Sequence, residues 1–151
     1  MKVCALLLLV SGMSYACSCM ESPARQKLER ADIVFRGTIA ELRPTEKGAG
    51  VNPGFARDAQ KTVVFRVTHV WKGKIGQTFE MPAIEETSAC IGFWPSYLKV
   101  GEDLLVYAQR FGDSGYMTNI CGNHKRAKDA ADDFSVLGRG NEPDRQREAK
   151  Q

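Results

Sequence analysis

The sequence predicts a mainly β domain, a small closed or partly closed barrel with a helix at each end, stapled by disulfides. Segments rich in β-branched and aromatic residues follow one another through the middle of the chain, and glycine-rich turns separate them. Short strands at this spacing are typical of barrels and not of alternating β–α–β units. The cysteine count is odd, but it becomes even once a leader is removed, as in exported proteins with disulfide bonds.

Residues 1–16 have the pattern of a secretory signal peptide. Lys2 supplies a positive charge, residues 3–13 are almost entirely apolar, and Ser14 and Ala16 form a small-x-small end. The apolar run is too short for a transmembrane helix, which needs about 20 residues. No later run approaches that length, so we expect no membrane span. We expect cleavage after Ala16, a mature chain that begins at Cys17, and secretion (to the periplasm or envelope if the source is bacterial).

The cysteines of the mature chain predict two disulfides. Cleavage after Ala16 removes Cys4 and leaves an even set: Cys17, Cys19, Cys90 and Cys121. Cysteines one residue apart rarely bond to each other, because the ring would be too tight for relaxed disulfide geometry. Cys17 and Cys19 are therefore each expected to pair with one distant cysteine. This reasoning leaves open which of the two distant cysteines each one takes.

The Cys17-Ser18-Cys19 motif has two alternative interpretations. A lipid-anchored protein also begins with a cysteine, but Ser14 and Tyr15 fit the usual lipidation signal poorly, and lipidation would leave an odd number of thiols. A soft-metal site would use both thiols, whereas the distant cysteines and the exported setting favour oxidation. We therefore expect these cysteines to form disulfides.

The strands are predicted from composition and alternation. Val63, Phe65 and Val67 fall on one face of the second strand. Turns rich in glycine separate neighbouring strands, but residues 43–60 form a connection long enough to be either functional or disordered. The predicted strands are residues 32–42, 61–71, 75–81, 103–109 and 116–120.

A helix is predicted at each end of the domain. Ser22 is placed to cap a first helix that begins at Pro23 and continues through good helix formers over residues 24–31. Asn123 is placed to cap a second helix over residues 124–137, whose alanines, Phe134 and Leu137 share one face. Gly138 suits its end. The predicted domain is residues 17–137, and residues 138–151 are predicted to be a charged, flexible tail.

Composition and motifs exclude several function classes. The net charge of +3 is scattered, which does not favour nucleic acid as a partner. Glu85 and Glu86 are sequence neighbours that face opposite ways on an extended chain, so they do not form a catalytic pair. His69 and His124 have no second ligand nearby and are predicted to be structural or surface residues. Without a phosphate loop or nucleophile elbow, we expect no enzyme activity.

Several stretches resemble the inhibitory domain of the tissue inhibitors of metalloproteinases, a family within the netrin-like superfamily. The likeness begins at Cys17-Ser18-Cys19 and continues through the first helix into Ala31-Asp-Ile-Val-Phe-Arg-Gly37. It includes Val70-Trp-Lys-Gly73, Thr87-Ser-Ala-Cys-Ile-Gly-Phe93, and Cys121 after the fifth strand. The resemblance covers roughly residues 17–137. A third disulfide and a cysteine-rich C-terminal subdomain of that family are missing here, as in minimal single-domain netrin-like proteins.

The resemblance implies a five-stranded OB-type barrel with disulfides Cys17–Cys90 and Cys19–Cys121. It also implies a secreted inhibitor of an extracellular zinc endopeptidase, in which the α-amino and carbonyl groups of Cys17 bind the zinc of the protease. The resemblance further implies that Ser18 would enter the main specificity pocket of the protease. The remaining contacts implied along the protease groove are Cys19, Met20, Glu21, Thr87, Ser88 and Ala89.

An inhibitor of this kind has no catalytic residues and no cofactor of its own, since the zinc is supplied by the target protease. We expect it to act as a monomer. The alternative function is a non-inhibitory netrin-like module that binds extracellular or cell-envelope proteins. In that case the cysteines only staple the N-terminus to the barrel, and residues 87–89 are an ordinary loop.

Overall fold

The computed structural model describes residues 19–44, 61–83, 90–112 and 115–145. The predicted leader, Cys17, Ser18, nearly all of the long connection over residues 43–60, and residues 84–89 lie outside these ranges. The helices are α1 (Ala24–Arg30) and α2 (Ala131–Leu137). The strands are β1 (Ile33–Pro44), β2 (Lys61–Lys72), β3 (Thr78–Ala83), β4 (Asp103–Arg110), β5 (Tyr116–Met117) and β6 (His124–Arg126).

The strands form one antiparallel sheet in the order β3-β2-β1-β4-β5, and β6 pairs with β4. The mainly β prediction is confirmed, and all five predicted strand segments contain a strand. Phe79 of β3 contacts Tyr116 of β5 across the sheet, with ring centroids 5.7 Å apart. The sheet therefore curves enough to bring these two strands, which lie at opposite ends of the order, within side-chain contact.

The interior of the curved sheet is an apolar core drawn from all the long strands. Phe35 of β1 packs edge-on against Phe65 of β2 and Phe79 of β3, with ring centroids 5.2 and 5.4 Å apart. All three rings are buried, and burying one such side chain stabilises the fold by about 1.5–3 kcal/mol. The predicted inward face of β2, made of Val63, Phe65 and Val67, belongs to this core, so that prediction is confirmed.

A second apolar cluster lies between the sheet and the two helices. Val34 of β1 and Leu105 and Tyr107 of β4 contribute from the strands, and Leu28 of α1 and Phe134 of α2 pack against them. Because alternate residues of β4 enter the two clusters, this strand is buried on both faces. That burial accounts for its continuous apolar sequence.

The predicted helix over residues 124–137 is wrong in its first half. Residues 124–126 form β6 instead, with Val106 opposite His124 and Leu104 opposite Arg126. A single 3-10 turn follows, and α2 begins only at Ala131. Pairing with β4 and the burial of His124 outweigh the local helical pattern. At the other end Pro23, not Ser22, occupies the N-cap position of α1.

The predicted flexible tail differs from the structure in its first residues. Asn141 exchanges two backbone hydrogen bonds with Val70 of β2, each 2.8 Å long, and the amide of Asp144 donates to the carbonyl of Ile75 at 2.9 Å. The indole Nε1 of Trp71 donates to the carbonyl of Gly138 at 2.9 Å. Residues 138–144 therefore lie along the end of β2, while residues 146–151 are outside the described ranges.

Candidate functional site

The N-terminal segment, residues 19–23, is fixed by a disulfide to the β5–β6 connection, residues 118–123. Cys19 is bonded to Cys121, with the two Cα atoms 4.9 Å apart and 102 positions apart in sequence. This is one of the two pairs that the resemblance implies. The bond occupies the Cys19 thiol, so that thiol is not available as a soft-metal ligand.

The same connection also holds the start of the segment around Cys90. The amide of Ile120 donates to the carbonyl of Cys90 at 3.0 Å, and the amide of Gly92 donates to the carbonyl of Thr118 at 2.8 Å. Cys90 is itself disulfide-bonded; its predicted partner Cys17 lies outside the described residues. Cys19 and Cys90 are thus held by adjacent residues: Cys19 by its disulfide to Cys121, and Cys90 by a backbone hydrogen bond from Ile120.

Side chains stabilise the β5–β6 connection itself. The amide of Cys121 donates to Asn119 Oδ1 at 3.0 Å. The buried Thr118 hydroxyl lies 3.1 Å from the carbonyl of Tyr107 and 3.2 Å from that of Asn123. Polar partners of this kind restrict a loop that would otherwise depend on its backbone alone. These contacts therefore restrict the β5–β6 connection, to which Cys19 is disulfide-bonded and Cys90 is hydrogen-bonded.

His124 is buried beneath this connection. Its Nδ1 lies 3.0 Å from the carbonyl of Asn119, so Nδ1 carries the hydrogen, and Nε2 accepts a hydrogen bond from the amide of Trp94 at 3.0 Å. The rings of Phe93 and Tyr97 pack against the imidazole. Burial lowers the pKa of His124 to about 4, so the ring is neutral near pH 7. Both nitrogens serve structural contacts, as the sequence predicted.

A charged cluster beside the N-terminal segment consists of Lys27, Asp133 and Tyr107, which are buried, and Lys125, which is half-buried. Asp133 Oδ1 is 2.6 Å from Lys27 Nζ and accepts a hydrogen bond from the Tyr107 hydroxyl at 2.9 Å. Its Oδ2 accepts from Lys125 Nζ at 3.1 Å. Burial favours the protonated form of Asp133, but these three hydrogen bonds outweigh it and hold its pKa below the usual range.

Glu21 connects the N-terminal segment to the charged cluster. Its carboxylate binds Lys125 directly, and its Oε1 lies 3.7 Å from Lys27 Nζ. The hydrogen bond from Lys125 lowers the pKa of Glu21. Sequence reasoning missed this cluster, because no local pattern distinguishes a helical lysine or aspartate that is buried from one that faces solvent.

Among the predicted contact residues, Cys19, Met20 and Glu21 lie in the described part of the chain. Met20 is 89% exposed, next to the disulfide on one side and Glu21 on the other. An exposed methionine at this position is available to a partner, although single exposed apolar residues are common. The other predicted contacts lie outside the described residues: Cys17, Ser18, Thr87, Ser88 and Ala89.

Comparisons with known proteins add no assignment, since neither a protein-family model nor a curated protein matches this sequence. Within the described residues, none of the helices has the length and apolar character needed to cross a membrane.

Proposed function

We propose that this chain, cleaved after Ala16, is a secreted inhibitor of an extracellular zinc endopeptidase. The proposed fold is a five-stranded OB-type barrel of the netrin-like kind, with β6 as an addition to it. The proposal starts from the sequence resemblance, and the geometry around the N-terminal segment supports it. The disulfide between Cys19 and Cys121 is compatible with an oxidising compartment outside the cell.

One observation carries the proposal: Cys19 and Cys90 are attached to the adjacent residues Cys121 and Ile120. Residues 17 and 18 immediately precede the first of these points, and residues 87–89 immediately precede the second. The two described residues that follow the proposed contact strips, Cys19 and Cys90, are therefore held at one short connection. If the strips are held there as well, as proposed, they would lose little conformational entropy on binding, which favours tight association.

The proposed chemistry uses the backbone of Cys17. A catalytic zinc keeps one coordination position open for water. The α-amino nitrogen and carbonyl oxygen of Cys17 would form a five-membered chelate ring on that zinc and displace the water. An α-amino group titrates at about 7.7–8.0, so a useful fraction is neutral near physiological pH. Ser18 would occupy the specificity pocket, and the exposed Met20 would continue along the groove.

The decisive experiment varies one residue at the N-terminus. Protein that begins at Cys17 is compared with protein that retains Ala16, against a panel of secreted zinc endopeptidases and one serine protease as the mechanistic control. We expect inhibition by the first form alone, directed only at zinc enzymes, with equal thermal unfolding of the two forms. Equal inhibition by both forms would contradict zinc chelation by the N-terminus. Inactivity of both forms would favour the non-inhibitory interaction module.

A further inference from the structure

We propose that Glu21 is a positioning residue for the N-terminal segment. Held by Lys125 and Lys27, its carboxylate fixes the course of the chain between Cys19 and helix α1, and with it the position of the exposed Met20. The effect on protease binding rests on the proposed inhibitor function. The effect on the order of the segment does not, and it can be measured separately.

The segment is attached at three points along a few residues. The disulfide holds Cys19. Helix α1 begins at Ala24, and the carbonyl of Pro23 accepts its first intrahelical hydrogen bond from the amide of Lys27 at 3.1 Å. A disulfide by itself leaves the chain free to pivot about the side-chain bonds of both cysteines. Glu21 lies between the two outer points, and its ion pairs restrict the stretch between Cys19 and helix α1, which a further disulfide at Cys17 would not hold directly.

The cations that receive Glu21 are held in place without it. Lys27 is almost fully buried, donates to the carbonyl of Gly122 at 3.2 Å and pairs with Asp133 at 2.6 Å. Lys125 also binds Asp133, at 3.1 Å. Two lysines against the single carboxylate of Asp133 leave one positive charge in excess. Glu21 neutralises that charge, so the domain presents a preformed site for one anionic side chain from its own N-terminal segment.

The backbone beside Glu21 is also shaped for it. Gly122 has φ +87°, and a Cβ atom at this position would lie 2.9 Å from Cγ of Glu21. Glycine therefore serves two purposes, because it adopts the left-handed conformation and leaves room for the glutamate side chain. Glu21 lies directly against the residue that follows Cys121, so the disulfide and the ion pair act on the same part of the connection.

Positioning differs from a general contribution to stability. The Glu21 side chain is 56% exposed, and an ion pair with one partner that exposed contributes little to global unfolding. Its effect is expected on the local order of Met20 and on binding, while the unfolding transition stays in place. A salt effect is expected as well, because ions screen exposed pairs far more than buried ones.

The test compares the mature protein with Glu21→Gln and with the control Glu41→Gln, which changes an exposed glutamate on β1. The order of the Met20 amide is measured by nitrogen-15 relaxation. Inhibition is measured against any zinc endopeptidase that the parent protein inhibits. For Glu21→Gln we expect unchanged thermal unfolding, a Met20 order parameter below about 0.6, and inhibition weaker by about five- to tenfold. Glu41→Gln should match the parent protein.

High salt provides a second test. We expect 0.5 M salt to lower the order of Met20 in the parent protein. The order of Met20 in Glu21→Gln, expected to be low already, should not change. If Met20 stays ordered in Glu21→Gln, the positioning role is overturned, whatever the inhibition. If the parent protein inhibits no protease, the inhibitor function fails. In that case, loss of Met20 order in Glu21→Gln still supports the positioning role.

Discussion

His124 accepts a hydrogen bond on Nε2 from the backbone amide of Trp94, 3.0 Å away. Its other nitrogen is committed to the carbonyl of Asn119, so a proton added to the ring has no acceptor and must displace the Trp94 amide. This bond joins the segment after Cys90 to β6. The attachment of the segment after Cys90 to β6 therefore depends on the ring staying neutral.

The first prediction concerns pH. Burial lowers the pKa of His124 to about 4, whereas an unfolded histidine titrates near 6.5. The unfolded chain therefore binds the proton more readily, and stability falls as pH drops through this window. The loss should be about 2 kcal/mol between pH 7 and pH 5, measured by urea unfolding. His124→Gln should be less stable at pH 7 but should lose much less between these pH values; equal slopes for the two proteins would contradict the assignment.

The second prediction concerns the charged cluster. Asp133→Asn removes the carboxylate that faces Lys27 and leaves a buried ammonium without its closest anion. The expected loss is about 3–5 kcal/mol in the free energy of unfolding. Asp132→Asn is a matched control, because this exposed neighbour lies in the same first turn of α2. Similar losses for the two variants would show that the helix terminus matters and the cluster does not.

The third prediction concerns the disulfide that anchors the N-terminal segment. Replacing both Cys19 and Cys121 by serine opens a closed loop of about a hundred residues, given their separation of 102. Loss of a native disulfide of this kind costs about 2–5 kcal/mol, measurable by chemical denaturation. Inhibition, if present in the parent protein, should fall at temperatures at which the variant is still folded. A variant as active as its parent would refute the link between the anchor and the contact strip.

The fourth prediction concerns the attachment of residues 138–144. Gly138 and Gly140 share a φ of +71°, but only a Cβ at Gly140 meets a neighbour, 2.9 Å from the Trp71 ring. Gly140→Ala should therefore release Asn141 and expose the Val70 amide, and hydrogen exchange there should accelerate. Gly138→Ala carries backbone strain without that collision. If both variants leave Val70 protected to the same extent, contact with Trp71 is not what holds the segment.

Local patterns predicted the strands well, because alternation in Val63, Phe65 and Val67 reflects which side of the sheet each side chain faces. They failed for β6, which is short, polar and recognisable only through its pairing with β4. They also failed for the pair of Lys27 and Asp133. Two charged residues from opposite ends of the chain carry no local sign that the fold will bury them together.

The contacts of Glu21 and Cys19 also bear on the order in which the protein can acquire its structure. Their partners Cys121 and Lys125, and behind them Asp133, lie near the other end of the chain. During synthesis Cys19 and Glu21 therefore emerge long before these partners exist. Contacts of such long range form late in folding. We therefore expect residues 19–23, although synthesised early, to be among the last parts of the molecule to become fixed.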